Sequence, residues 1–188
     1  MNRKMLLLRD GRRAVVRLLS RNDTELLCCC FAGFGKDARR NFAPHPFSRE
    51  MADEICCHLR ADKTSLRFLV TIGHPPHEKP IGYAFVRMLD RKVPALAIGL
   101  IDEVTGQGLG RQVLAFLLDI ARATGFAKIA LTVMMRNHRA RAFYEQNGFS
   151  YHGTRFWDAC GKGWSLKMEK SLRDRKNGTI WTDSNNHT

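Results

Sequence analysis

Apolar side chains recur along this chain with two different periods, and the switches between them predict the order of its elements. Alternating apolar and polar positions predict strands, whereas apolar positions three or four residues apart predict one face of a helix. The clearest helix covers about 109–124, where Gly125 ends the pattern. The predicted elements are strand 12–18, a helix ending near 35, helix 48–59, strands 66–72, 81–89 and 93–101, helix 109–124, strand 128–134, helix 137–147, and strands 149–156 and 164–168.

The order β-α-α-β-β-β-α-β-α-β-β predicts an α/β (α+β) fold. We expect a mixed central sheet of about six to seven strands flanked by about four helices. The helix over 109–124 joins two strands, and such a crossover makes neighbouring strands parallel with a right-handed connection. The 188 residues match one domain. We place that domain at 1–170 and expect a polar, mobile tail over 171–188.

The charge balance departs most from an average composition. Lys and Arg number 31 against 18 Asp and Glu, which gives a formal net charge of +13. Such a surplus favours anionic partners, whether nucleic acid, acidic lipid or a phosphorylated small molecule, and does not choose among them.

Apolar runs and cysteines bear on location and on metal chemistry. No apolar stretch approaches the roughly 20 residues of a membrane span, and the run 5–8 is shorter than the roughly 7–15 residues of a signal-peptide core. We therefore expect a cytoplasmic protein without a membrane partner. The six cysteines form no CxxC pair, so we expect reduced, structural thiols and no metal site.

Residues 101–111, IDEVTGQGLGR, follow a predicted strand and open a predicted helix. Alternating glycines leave backbone N–H groups unobstructed, and a helix N-terminus adds partial positive charge, so this glycine turn can cradle an anion. The spacing does not match a dinucleotide fingerprint, because Arg111 holds the third glycine position and 128–133 carries no acid. The turn also lacks the Walker pattern. By itself it leaves open a helix start without any ligand.

A second motif, N-x-x-A-x-x-x-Y-x-x-x-G-F, runs from Asn137 to Phe149. Together with the glycine turn, in this order and at this separation, it resembles the GCN5-related N-acetyltransferases (GNAT) over about 79–156. The resemblance implies the GNAT fold, with a sheet splayed between its fourth and fifth predicted strands, and direct acetyl transfer from acetyl-CoA to a primary amine. Thr105 stands where the family has Gln or Arg. Since backbone amides make most phosphate contacts, we expect binding to survive with altered affinity.

The resemblance implies a role for each matching residue. Backbone at 101–103 would pair with the pantetheine arm, and N–H groups near 101–102 would supply the oxyanion donors. The amides at 107–111 would bind the pyrophosphate. Asn137 would hold the pantetheine, cap the following helix, or do both. The residues expected to bind acetyl-CoA are Ile101, Asp102, Glu103, Gln107, Gly108, Leu109, Gly110, Arg111, Asn137, Arg139 and Tyr144.

Tyr144 is the expected general acid, because a phenol close to the sulfur can protonate the leaving thiolate. The alternative is a tyrosine that only packs in the core. Two residues are candidates for the base, Glu103 beside the fourth strand and His45 in the FAPHPF segment. Their alternatives are a surface carboxylate and a packed loop.

The sequence does not identify the acceptor of the acetyl group. The candidates are a small molecule, such as an amino sugar, and a protein. The net charge disfavours polyamines and favours neutral or anionic acceptors. Two other functions keep the fold without catalysis, a basic nucleic-acid-binding protein and a CoA sensor. No recognised nucleic-acid-binding motif is present, so nucleic acid is the less favoured partner. A homodimer is a further expectation from the resemblance.

Overall fold

One mixed sheet forms the centre of the computed structural model, which describes residues 3–42, 44–75, 77–157 and 163–173. Its strand order is β1-β2-β3-β4-β5-β6-β8-β7. The strands are β1 Arg3–Leu7, β2 Arg13–Leu18, β3 Ser65–Ile72, β4 Lys79–Arg87, β5 Ala95–Leu100, β6 Lys128–Met134, β7 Ser150–Trp157 and β8 Gly163–Ser171. The helices are α1 Thr24–Gly33, α2 Lys36–Asn41, α3 Arg49–His58, α4 Leu109–Ala123 and α5 His138–Gln146.

The predicted class and element order are confirmed, with two elements added to the described part. Strand β1 brings the sheet to eight strands rather than six or seven, and α2 brings the helices to five rather than four. The pattern missed β1 because only Leu6 within it is buried. It missed α2 because this one-and-a-half-turn helix buries no side chain and so shows no apolar period.

The C-terminal strand is longer than its apolar pattern predicts. Strand β8 continues to Ser171, and Leu172 beyond it is buried. Most of the predicted tail, residues 174–188, lies outside the described residues, as does Cys160.

The sheet is covered on both faces. Helices α1 and α3 lie on the face that carries Tyr83 and Phe85, and the ring of Phe31 meets Tyr83 at a centroid distance of 5.7 Å. Helix α4 covers the other face, where Phe116 packs edge-on against Phe68 at 5.1 Å. Burial on both faces explains why β4 is apolar almost throughout.

Strands β5 and β6 separate soon after they meet. They run parallel and share one register pair, Ala95 with Ala130, beside a 2.8 Å hydrogen bond from the Ala130 N–H to the Pro94 carbonyl. In contrast, β4 pairs with β5 over 82–87 and 95–100. The splay expected between the fourth and fifth predicted strands is therefore present, and it leaves a gap through the sheet beyond Ala95.

Within the described ranges, no helix is both long enough and apolar enough to cross a membrane.

Candidate active site

The glycine turn lies at the open end of the splay and delivers the chain into α4. Gly106 and Gly108 have φ of +80° and +77°, the left-handed region that favours glycine. Gly108 is the N-cap of α4 and supplies no side-chain cap. The first helical amides, at Leu109, Gly110 and Arg111, therefore have no intrahelical acceptor and are open to an anion.

Gln107 differs from the rest of the predicted phosphate-binding stretch. Its N–H donates to the Val104 carbonyl at 3.3 Å, so this amide is already used within the turn. Its carbonyl accepts from the Arg9 N–H at 3.2 Å, and its Oε1 accepts from the Asp10 N–H at 3.2 Å. Gln107 therefore anchors the turn to the β1–β2 hairpin, and the open amides begin after it.

The same hairpin brings an unforeseen cation to the glycine turn. The Arg9 Nε lies 3.7 Å from the position that a Cβ on Gly108 would occupy. Gln112 of α4 fixes the hairpin, because its side chain donates to the Leu7 carbonyl at 2.7 Å and accepts from the Leu7 N–H at 3.1 Å. No sequence signal marked Arg9, since its position depends on the unpredicted strand β1.

The backbone at 101–103 is partly committed to the sheet. The Ile101 N–H donates to the Ile81 carbonyl at 3.0 Å, which argues against it as an oxyanion donor. The Asp102 carboxylate lies against Gly35, where any larger side chain would collide with it.

Glu103 is held by two cations at the sheet edge. Its carboxylate meets Arg12 at 2.9 Å and Lys79 at 2.6 Å. Hydrogen bonds from Lys79 and Arg12 lower the pKa of Glu103. A carboxylate that binds protons less readily than usual is a poor general base, and Glu103 is not among the residues that line the cavity described below.

Tyr144 is buried on α5 between Phe143 and Phe149, with ring centroids at 5.1 and 5.6 Å. Burial raises the pKa of the phenol to about 12. None of the hydrogen bonds in the described part involves its hydroxyl. The phenol is therefore protonated at neutral pH, and Tyr144, like Glu103, is not among the residues that line the cavity described below.

At the start of α5, Asn137 caps the helix through its side-chain oxygen and still has a donor group to offer. Asn137 caps α5, with its Oδ1 accepting from the Ala140 N–H at 3.1 Å, which leaves its side-chain NH₂ group outside the cap. Arg136 donates to the Arg40 carbonyl at 3.0 Å. Arg139 is exposed on the first turn of α5.

His45 packs between α1 and the sheet. Its ring meets three aromatic rings at centroid distances of 5.3, 5.6 and 5.8 Å, those of Phe31, Phe47 and Tyr83. The Nδ1 lies 2.8 Å from the Pro46 carbonyl, which only accepts, so Nδ1 carries the proton. The buried Nε2 has no hydrogen-bond partner in the described part. Burial lowers the pKa of His45 and keeps that lone pair unprotonated near neutral pH.

A cavity of about 560 Å³ opens on the α1–α3 face, across the splay from α4. Its floor is made of small side chains from the two diverging strands, Ala95, Ala97, Ala130 and Thr132. Phe42 and Phe85 form one wall, and residues of β7 and β8 form the opposite wall. Pro44 lines the cavity, whereas the adjacent His45 ring does not. Sequence patterns missed this cavity because its walls come from six separate elements.

These features define a GNAT-type acetyltransferase fold with the glycine turn on one face and a cavity on the other. The chain belongs to the acetyltransferase (GNAT) family, whose model matches residues 33–149. A mycothiol acetyltransferase of Beutenbergia cavernae is 34% identical over 59% of this chain and 38% of its own length. An uncharacterized N-acetyltransferase of Bacillus subtilis, YycN, is 43% identical over 27% of this chain and 33% of its own length. The matches thus span about a third of the length of each of these curated relatives.

Solved structures share the fold across nearly the whole described chain. RimJ of Mycobacterium smegmatis, in complex with CoA-disulfide, superposes with a TM-score of 0.75 at 16% identity, covering 91% of this chain and 87% of its own. A Vibrio cholerae spermidine N-acetyltransferase, in complex with CoA and spermine, gives 0.69 at 20% identity, covering 85% and 95%. At these identities the likeness concerns the fold alone.

The residues present fit acetyl-CoA, the cosubstrate of this family. The amides that start α4 are open, and nothing lies within 4 Å of where a Cβ on Gly106 would stand. Among the described residues, no cluster of His, Cys, Asp and Glu could hold a metal ion, and the five cysteines of this part form no disulfide.

Proposed function

We propose that this chain is an N-acetyltransferase that transfers the acetyl group of acetyl-CoA directly to a primary amine of a small molecule or protein. The observation that carries the proposal is the splay, where β5 and β6 share only the Ala95–Ala130 pair. The gap connects the glycine turn on one face with the cavity on the other. An amine in the cavity can therefore reach a thioester held between the strands, without a covalent enzyme intermediate.

Backbone amides and cations of this chain hold the coenzyme. Acetyl-CoA supplies the activated acetyl thioester. The amides of Leu109, Gly110 and Arg111 bind the pyrophosphate, and Arg9 adds positive charge beside them. The side-chain NH₂ group of Asn137 binds the pantetheine arm, and the exposed Arg139 faces the adenine end.

Tyr144 holds the proton that the leaving sulfur needs. Its raised pKa keeps the phenol protonated throughout the neutral range. A thiol has a pKa of about 8.5, below that of this phenol, so the proton transfer is coupled to the departure of the sulfur as the carbon–sulfur bond breaks.

His45 is the stronger of the two base candidates. Its Nε2 carries an unpartnered lone pair, and its lowered pKa keeps that lone pair available at and below neutral pH. Because the ring lies behind Pro44 and not in the cavity wall, a water molecule would relay the amine proton. The carboxylate oxygens of Glu103 are instead paired with Arg12 and Lys79.

An acceptor screen tests the proposal. The full chain is incubated with acetyl-CoA and a panel of amino sugars, amino acids, peptides and polyamines, and free thiol and acetylated product are measured together. We expect thiol release that depends on the amine, with one acetylated product per thiol. Acetyl-CoA binding without any acetylated amine would instead favour a sensor.

Assembly and location remain predictions with their own tests. Tyr151, Phe156 and Trp164 are exposed on the last two strands, at 61%, 53% and 53%. Such an apolar patch beside an edge strand suits a second copy of the chain. Light scattering should give twice the chain mass of 21.4 kDa, and a monomer at micromolar concentration would contradict the homodimer. The cytoplasmic location is tested by fractionating the source cells.

A further inference from the structure

The charged side chains that line the cavity are all cationic. They are Arg87, Arg155 and Lys167, and no Asp or Glu among the described residues lines the cavity. We infer that this site takes an acceptor that carries an anionic group, a carboxylate or a phosphate, besides its amine. This inference rests on the proposed function, because it assigns the class of acceptor for the same site.

Arg87 is the anchor that points most clearly to an anion. It ends β4, pairs in register with Ala95 on the cavity floor, and lies with its Cζ 5.7 Å from the Phe85 ring centre. No acidic side chain of the described residues forms an ion pair with it. Burial, together with the charges of Arg67 and Arg155, lowers the pKa of Arg87. A half-buried cation beside other cations is relieved by an incoming anion.

Other half-buried arginines of the same sheet face show the usual arrangement. Arg17 forms ion pairs at 2.7 Å with both Asp23 and Glu78. Arg67 donates to the Tyr83 hydroxyl at 2.6 Å and lies 3.7 Å from Asp62. Arg87 departs from this arrangement, and it is the arginine of the three that faces the cavity.

The opposite wall adds weaker positive charge. Lys167 lies 2.9 Å from Glu169, and His152 lies 3.5 Å from the same carboxylate. Glu169 itself is not a lining residue, so it moderates the charge of this wall without offering a carboxylate to the ligand. The wall therefore supports an anion that Arg87 holds, and it repels a polycation.

Matched acceptor pairs test the inference on the full chain. Glucosamine 6-phosphate is compared with glucosamine, and an amino acid with its amide, so that the two arms separate phosphate from carboxylate recognition. Spermidine is the cationic reference. We expect at least one anionic member to exceed its neutral partner about 10- to 100-fold in kcat/KM, the range of a charge-assisted hydrogen bond, and spermidine to be the poorest acceptor.

Variants of Arg87 assign the preference to this cavity. In Arg87→Gln we expect a higher KM for the anionic acceptor and loss of its advantage over the neutral one, whereas Arg87→Lys retains part of it. Arg91→Gln, an exposed arginine that pairs with Asp90, is the matched control and should change nothing. Equal use of neutral and anionic partners, or an unchanged ratio in Arg87→Gln, would overturn the inference.

A binding measurement separates this inference from the proposed function. Glucosamine 6-phosphate and a free amino acid are titrated calorimetrically into protein saturated with CoA, using the wild type and Arg87→Gln. Binding that Arg87→Gln abolishes supports the anion site even if no amine is acetylated, in which case only the proposed function fails. Absence of binding in both arms, together with acetylation of neutral amines, would refute the anion site and leave the proposed function intact.

Discussion

The two sides of the splay are built from different groups. On the α4 side, the groups open to a ligand are mainly backbone amides, released by two glycines with positive φ. On the α1–α3 side, they are side chains drawn from six elements, with charge supplied by Arg87, Arg155 and Lys167. In the proposed function, the amides bind the coenzyme that every reaction of this family uses, and the side chains bind the acceptor. Under that proposal the two ligands bind on opposite faces of one sheet.

Tyr144→Phe gives the largest expected effect and separates chemistry from binding. Removing the hydroxyl should lower kcat about 10²- to 10⁴-fold, the contribution of a general acid, while the acetyl-CoA Kd stays constant. The ring packing with Phe143 and Phe149 is preserved by phenylalanine. Tyr151→Phe, at an exposed position on β7, is the matched control. Full activity in Tyr144→Phe would show that Tyr144 only packs in the core and is not the general acid.

Gly108→Ala tests the backbone side of the comparison. A Cβ there meets only Arg9, at 3.7 Å, but the left-handed φ of +77° costs alanine about 1–2 kcal/mol. Since relaxing that φ displaces the open amides of α4, acetyl-CoA should bind about tenfold more weakly. Gly125→Ala carries the same strain at the other end of α4, with φ +88° and open space. It should lower the melting temperature similarly and leave the acetyl-CoA Kd unchanged; equal Kd values in the two variants would contradict this account.

The loss of folding stability at acidic pH should depend on His45, which packs on the α1–α3 side of the sheet. The pKa of His45 is lowered in the folded protein, so the unfolded chain binds its proton first as the pH falls. Stability from neutral His45 is therefore complete above about pH 6.5, the unfolded value, and is lost as the pH falls from there through the lower folded pKa. Chemical denaturation at pH 7.5 and 5.5 should show a smaller loss for His45→Gln than for the wild type. His74→Gln, in an exposed turn, should behave as the wild type does; identical losses in all three would show that His45 does not titrate in this way.

Arg9→Gln has the smallest expected effect and tests whether Arg9 contributes to pyrophosphate binding. Loss of one exposed cation near the pyrophosphate should weaken acetyl-CoA binding about threefold at low salt, and less at high salt. Arg3→Gln removes an equal charge from strand β1 of the same hairpin and should leave affinity unchanged. Equal weakening by both substitutions would indicate a general charge effect and not a contact.

The comparison also explains which parts of the molecule were predictable from sequence. The glycine turn and the Asn137–Phe149 motif are local, because a turn or a helix cap needs residues at fixed short spacing. The order of the predicted helices followed from the apolar periods, and the splay followed from the family resemblance that these motifs carry. In contrast, β1 was missed because an edge strand that buries one residue shows no period.

Contacts between residues that are far apart in the sequence could not be predicted, and they decide the roles of several candidate site residues. Gln107 was expected to offer its amide, yet Val104 takes that amide and the hairpin takes its side chain. Glu103 was weighed as a base against a surface carboxylate, and its ion pairs with Arg12 and Lys79 favour the surface carboxylate. The cationic cavity joins residues from β4 with residues from β7 and β8, and nothing in the spacing along the chain brings these together.

Calorimetric titration of the full chain with acetyl-CoA, at low salt and at about 0.5 M salt, tests the central claim most directly. At the higher concentration, charge interactions beyond a few ångströms are screened, whereas the amides of α4 and the strands of the splay still hold the ligand. The account predicts one-to-one binding that persists at both salt concentrations. No binding, or binding that vanishes at high salt, would show that the glycine turn only starts a helix and would contradict the account.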